Sequence, residues 1–333
     1  MPKIAGKIAR RSFLIGTALA PFAPSLANAQ APNIPAWPAR PVTLIIPFPA
    51  GGAMDLLGRG LAQDLTDKLG QPFVVDNRVG AAGNIGAMAA AKAPPDGSTI
   101  LMAGASSLAL NKFMFATMPY DPEKELTPIV IVSKLPHIFV VNPKVEAKTL
   151  KELVEYARAN PGKLNAGVPG AGTTAHITLE AFMAQAGAKM TVVTYRAEPQ
   201  MLTDLVGGQL DFACTLTTSP GPHVQAGRLR ALAVTSTTRT QQLPEVPTVE
   251  QAGFPGFEAT AWFALAVPTG TPVEIIQKIN AAVNAFINGD KGKQDMRKLD
   301  SLPAGGTPEQ TKAFIAAEIR KWGPIIKAAN IRM

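Results

Sequence analysis

The 333-residue chain has a single cysteine, three histidines and three tyrosines, and only 17% of its residues are charged and 6% aromatic. Each scarcity removes a class of function. One cysteine builds neither a disulfide framework nor a thiolate metal site, and Cys214 reads as a small buried apolar residue. The three histidines come without His-x-x-x-His spacing, an acidic calcium-type loop or a Gly-x-Ser-x-Gly elbow. The pattern therefore points to no metal and no cofactor, and offers no obvious nucleophile-base pair. Few aromatics argue against a surface on which nucleic-acid bases stack. After the N-terminal segment no apolar run is long enough to span a membrane. What the chain does have is 47% hydrophobic residues over a length of about two domains, enough for a large core without staples.

The formal charge of +8 is local. Lys3, Lys7, Arg10 and Arg11 lie in the first eleven residues, and removing these four from the 32 Lys and Arg leaves 28 against 24 acids, an excess of +4. This basic stretch, the apolar run 13–23 and Ala27-Asn28-Ala29 read as an export signal, residues 1–29, with the mature chain beginning at Gln30. Arg10-Arg11-Ser12-Phe13-Leu14 has the paired arginines of a twin-arginine signal. The destination is the periplasm.

After a proline-rich lead (Pro32, Pro35, Pro38, Pro41), β-branched runs alternate with Ala- and Leu-rich helical stretches, which argues an α/β fold with mainly parallel sheets flanked by helices. Strands are expected at 42–48, 73–76, 98–103, 137–142, 164–168, 191–195, 229–235 and 261–267. Leu57, Leu61, Leu65 and Leu69 make a helix stripe stopped by Gly70. Thr149-Leu150-Lys151-Glu152 and Thr307-Pro308-Glu309-Gln310 open further helices as capping signals. Two late helices should cover the first sheet. That predicts a discontinuous first domain, 30–138 plus 257–333, a second domain, 139–256, and a hinge near residues 138 and 257.

Four loops of small or hydroxylated residues each deliver a helix start: Gly51-Gly52-Ala53-Met54-Asp55, Gly104-Ala105-Ser106-Ser107, Gly170-Ala171-Gly172-Thr173-Thr174, and Tyr195-Arg196-Ala197-Glu198. One such loop is an ordinary tight turn. Four on two domains point to anion binding, because free amides and the helix dipole hold a carboxylate without a cationic side chain. Gly80-Ala81-Ala82-Gly83-Asn84-Ile85-Gly86 has G-x-x-G-x-x-G spacing rather than the dinucleotide pattern. His137, after Pro136, and His223, in a Pro-Gly-Pro turn, read as structural. His176, one turn inside a helix, either packs within the fold or points toward a ligand at that helix start, with packing the more ordinary role.

Several motifs together resemble the Bug-type receptors, the periplasmic substrate-binding proteins of tripartite tricarboxylate transporters. They are Ile46-Pro47-Phe48-Pro49-Ala50-Gly51-Gly52, Asp76-Asn77-Arg78, Gly83-Asn84-Ile85-Gly86, Pro95-Asp96-Gly97, Tyr120-Asp121-Pro122, Pro161-Gly162-Lys163-Leu164-Asn165, Gly207-Gly208-Gln209-Leu210-Asp211, Ala226-Gly227-Arg228-Leu229-Arg230 and Leu243-Pro244-Glu245-Val246-Pro247-Thr248. The resemblance runs from Trp37 to Ile331. It implies a two-domain Venus-flytrap protein, a monomer without catalysis, that closes on a small carboxylated or zwitterionic solute for membrane partners. It further implies a first clamp of Phe48, Gly52, Ala53 and Asp55 beside Ser106 and Ser107, and a second of Gly170, Gly172, Thr173, Thr174 and His176. The chain departs from the pattern at Ala53, at Leu108 and at Tyr195, Arg196, Ala197 and Glu198, where specificity should be written. Glu198 stands either at a helix end, paired with Arg196, or against a ligand N–H. The competing readings are an exported hydrolase-like α/β enzyme acting on a small organic acid, and a scaffold or cell-surface interaction protein.

Overall fold

The computed structural model describes residues 37–333, together with Pro2 and Gly6. The proposed export signal and the Gln30 start lie outside the described residues. Ten strands, β1 Val42–Ile46, β2 Phe73–Asn77, β3 Thr99–Gly104, β4 Leu126–Val141, β5 Asn165–Val168, β6 Thr191–Thr194, β7 Phe212–Leu216, β8 Arg230–Val234, β9 Thr260–Pro268 and β10 Leu302–Gly305, form one continuous path ordered β2-β1-β3-β9-β4-β7-β5-β6, with β8 and β10 joined to β4. The helices are α1 Ala53–Leu69, α2 Asn84–Ala91, α3 Asn111–Met114, α4 Pro122–Glu125, α5 Leu150–Ala159, α6 Thr174–Ala186, α7 Glu198–Gly207, α8 Gly221–Gln225, α9 Val273–Asn288, α10 Asp290–Lys298 and α11 Pro308–Ala328.

The sixteen-residue strand β4 belongs to two sheets. Its residues up to Pro136 pair with β9 and β10, and from His137 onward it pairs with β7 and β8. The parallel part of each sheet is three strands wide, β2-β1-β3 in the first lobe and β6-β5-β7 in the second. The strands that carry the chain between lobes add antiparallel neighbours, so each sheet is mixed. Central strands are buried on both faces and read as unbroken apolar runs. Leu44 and Ile46 pack under α1 and α9 with Leu57, Leu61, Ile279 and Phe286, while Ile45 faces the opposite side. Phe139, with Phe182, Phe212 and Phe257 around it, lies in the cluster that also holds Ile315, Trp322 and Ile326 of α11. That cluster runs through both lobes, so residues Ala36–Met333 pack as one compact unit.

The local signals act largely as the residues suggest. Gly70 takes the left-handed conformation after α1. Thr307 and Gln310 close a full capping box on α11. At α5 the box is half formed: Thr149 accepts the Glu152 amide, but the Glu152 carboxylate accepts from Lys148 N rather than from the cap residue. Three late helices form instead of two, because Gly289 ends α9 and begins α10. Helix α9 covers the first sheet as expected, whereas α11 packs on β4 and also reaches α6 of the second lobe. Cys214 is fully buried in β7, and burial pushes its thiol well above the ordinary range.

Candidate functional site

Parallel strands followed by helices deliver their loops to one edge of a sheet. Strands β1, β2 and β3 end at Ile46, Asn77 and Gly104, and β5, β6 and β7 end at Val168, Thr194 and Leu216. Gly104 is level with Phe263, which is level with Ser133 of β4, while Leu216 is level with His137. The two rows of loops therefore meet on either side of the short stretch of β4 from Ser133 to His137, and all four glycine- or hydroxyl-rich segments lie along these facing edges.

In the first row Gly51 adopts φ +83°, which only glycine takes without strain, and it and Gly52 are exposed. Gly52 caps α1 without a side chain, and among the described residues the amides of Gly52, Ala53 and Met54 have no acceptor. These are the orphan donors of a helix start. Asp55 does not join them. It is 2% exposed, and its carboxylate accepts from Gly51 N, Arg59 Nε and Asn77 Nδ2, each at 2.9 Å. Burial alone raises this carboxyl, but the three donors outweigh it and hold it below the usual carboxylate range. Asn77 also donates to Phe48 O at 3.0 Å, so Asp55 and Asn77 pin the loop whose amides stay free, with half-buried Phe48 as its floor.

Gly104-Ala105-Ser106-Ser107 is not a loop: β3 passes directly into a helical turn of π type, Ser106–Leu110. Ser106 is half-buried at the edge. Ser107 is 1% exposed and its Oγ has no partner among the described residues. Leu108 is buried in the core and does not line the cleft, contrary to the role its position suggested. In the Gly80–Gly86 segment Gly80 (φ +137°) and Gly83 (φ +92°) serve the turn, and Gly86 serves packing: a Cβ there would stand 2.8 Å from Pro47 Cβ and 2.9 Å from Arg78 O.

In the second row Gly170 (φ +137°) and Gly172 (φ +68°) shape the turn before α6. Gly172 is buried, and its N–H donates to His176 Nδ1 at 3.1 Å rather than facing the cleft. His176 Nε2 lies 3.6 Å from Glu180 Oε1. Thr173 is the helix cap: its hydroxyl accepts His176 N at 3.3 Å and donates to Gly170 O at 2.9 Å. The free donors here are the amides of Thr174 and Ala175, which have no acceptor among the described residues. Gly172, Thr173 and His176 thus hold the loop, and Thr174 fronts it. Thr173→Val should therefore lower stability by about 1 kcal/mol through loss of the cap and weaken binding only indirectly; denaturant unfolding beside calorimetry checks this.

Tyr195 donates to Asp204 Oδ2 at 2.8 Å, and burial together with that carboxylate pushes its phenol up to about 12. Arg196 and Ala197 are exposed, and Arg196 has no side-chain partner among the described residues. Among the described residues Glu198 does not pair with Arg196, one of the two arrangements the sequence allowed. Glu198 instead accepts a hydrogen bond from Thr215, a buried residue of β7, which draws its carboxylate toward the sheet.

Sequence reasoning missed Asn77 as a pin, and it read His137 as structural without seeing which groups its ring would meet. His137 is 1% exposed, and its ring lies 3.3 Å from Ala259 O through Nδ1 and 3.1 Å from Thr174 Oγ1 through Nε2. Burial lowers its pKa to about 4. The one available signal was a histidine set just where an apolar strand begins to pair with a new sheet. Among the described residues no group of three or more His, Cys, Asp or Glu is placed to hold a metal, and no helix is long and apolar enough to cross a membrane.

Two α/β lobes sharing a crossing strand, with helix-start amides on the loop rows either side of it, define a two-domain solute-binding protein of the periplasmic type. The chain belongs to the TctC family, the tripartite tricarboxylate transporter family receptors, which it matches over residues 57–331. It is 37% identical to a Pseudomonas sp. protein from the tcbD-tcbE intergenic region, over 96% of this chain and 94% of that one. It is 35% identical to BugT of Bordetella pertussis, over 89% of this chain and 91% of that one. Among solved structures it resembles R. palustris Rpa4515 with adipate, at 37% identity and TM-score 0.78, covering 89% of this chain and 99% of that one. It also resembles MatC of Rhodopseudomonas palustris with bound malate, at 28% identity and TM-score 0.72, covering 87% and 100%.

Proposed function

We propose that this chain is exported to the periplasm, where as a monomer it captures a small carboxylated or zwitterionic solute between its two rows of loops and presents it to the membrane components of a tripartite tricarboxylate-type transporter. The observation that carries the reading is the pair of unpaired amide sets, Gly52 to Met54 and Thr174 to Ala175, on the two loop rows that meet on either side of the β4 crossing. Each set offers an anion site built from backbone alone. Relatives that hold adipate and malate support the carboxylate class. The site does not favour the hydrolase alternative. Ser107 lies buried, His176 is tied to Gly172, and the hydroxyl–imidazole contact that does reach the cleft, Thr174 with His137, has a backbone carbonyl on the other ring nitrogen where a hydrolytic triad would set a carboxylate.

The moving bodies in this proposal are residues 30–138 with 257–333, and residues 139–256. They turn where β4 changes sheets at Pro136 and His137 and where the chain returns near Ala259. A thermal-shift screen of mono- and dicarboxylates, hydroxy acids and amino acids should raise Tm for at least one class, and the hit should lower the radius of gyration in scattering. A panel without any stabilising compound, or chemical conversion of the bound solute, overturns the reading. Export is tested separately. The secreted form should begin at Gln30, and the Arg10→Lys, Arg11→Lys double variant should stay inside the cell.

A further inference from the structure

His137 sits where three chain segments from both lobes converge: β4 at its change of sheet, the returning segment at Ala259, and the first turn of α6. The polarity of its ring follows from its neighbours. Ala259 O can only accept, so the ring nitrogen 3.3 Å from it, Nδ1, must carry a proton. Thr178 Oγ1, 3.4 Å from the same nitrogen, takes a weaker share of that proton. A fully buried imidazole is neutral near neutral pH and carries one proton, so Nε2 is left as a lone pair. Thr174 Oγ1 stands 3.1 Å from it and must donate. The single hydroxyl proton of Thr174 is thereby directed inward to the hinge.

This constrains the ligand. In the first turn of α6 the amides of Thr174 and Ala175 are free donors, while the Thr174 hydroxyl retains only lone pairs. Within one threonine residue the amide nitrogen and Oγ1 lie about 3 Å apart by covalent geometry. A group that satisfies both must present an acceptor and a donor on neighbouring atoms. We infer that His137 is a positioning residue that turns Thr174 into a hydrogen-bond acceptor, so that this receptor selects a carboxylate with a hydroxyl or ammonium donor on the adjacent carbon over the unsubstituted acid. The inference rests on the receptor reading above and adds the specificity of its second lobe. A plain carboxylate still meets the amides but leaves the Thr174 lone pairs unmatched, and discrimination of this kind exceeds what apolar pockets achieve.

Two measurements on the full mature chain test it. The first needs no ligand. In nitrogen-15 histidine spectra at pH 7, with His137 assigned through His176 and His223 variants, the ring should be protonated on Nδ1. Thr174→Val should move the Nε2 resonance toward that of a free lone pair, whereas Thr174→Ser should not. Protonation on Nε2 overturns the inference. The second compares malate with succinate, which differ by one hydroxyl, in calorimetry. Malate should bind at least about tenfold tighter, and the ratio should fall toward one in Thr174→Val, recover in Thr174→Ser and fall in His137→Asn, which keeps a donor for Ala259 but loses the acceptor for Thr174. In the Thr174→Val background, His137→Asn should change the ratio no further, which a merely structural histidine would not reproduce. A ratio near one in the unaltered protein, or one indifferent to all four variants, overturns the inference. If neither compound binds, the receptor reading loses this ligand class and the ring spectrum alone decides the role of His137.

Discussion

Replacing Asp55 by alanine should lower the affinity for the solute by roughly ten- to a hundredfold, about 1.4 to 2.8 kcal/mol, although this carboxylate faces away from the cleft. Its oxygens hold Gly51 N, Asn77 and Arg59, and Asn77 in turn holds Phe48 O. Removing it takes the shared acceptor from Gly51 N and half-buried Asn77 and frees the turn whose amides form the first anion site. The fold should lose about 2 to 4 kcal/mol as well, the range expected when hydrogen bonds to a buried charge are broken. Asn77→Ala should reproduce much of the affinity loss with a smaller stability cost, since the Asp55 contacts to Gly51 and Arg59 remain. Calorimetry and denaturant unfolding on the same samples separate the two effects. Unchanged affinity in Asp55→Ala would mean that the turn is held by its glycines alone.

The second large effect is acid sensitivity at the hinge. Burial lowers the pKa of His137 from 6.5 to about 4. The unfolded chain therefore binds a proton on this residue at a higher pH than the folded protein does. The associated stability is fully present above about pH 6.5 and is lost progressively as pH falls toward 4, where it amounts to about 3 kcal/mol. His137→Asn carries no such proton. The difference in unfolding free energy between the two proteins should shrink by that amount between pH 7 and pH 4, while the carboxylates cancel in the subtraction. A difference independent of pH would show that the ring ionises freely in the folded state.

How far the sequence could be read depended on whether a feature was local. The α1 stripe with Gly70 and the Thr307 box each depend on a few neighbouring residues, and each forms as expected. The first eleven residues of β4 escaped because Pro128, Ser133, Lys134 and Pro136 break its apolar pattern. Those prolines are tolerated because the register shifts between Pro128 and Val130 and because Pro136 stands where the strand leaves the first sheet. Strand β10, Leu-Pro-Ala-Gly, carries no β-branched residue at all and forms only by pairing with β4. At the site, the loops were legible because glycine and hydroxyl residues recur at strand ends. Which way each group points was not. Asp55, Gly172, Thr173 and His176 are all turned to partners inside the protein, and only long-range contacts decide between holding a loop and meeting a solute.

The position of β9 has a consequence in time. It lies between β3 and β4, so the centre of the first sheet is the last of its long strands to leave the ribosome, after the whole of the second lobe. Until residues 260–268 emerge, β3 and β4 have exposed edges facing a gap, and unpaired edges of apolar strands invite pairing with other chains. The second lobe, by contrast, has all its strands once β8 is made. It should therefore fold first during synthesis and serve as the template against which the first lobe is completed, with β9 closing the sheet like a keystone.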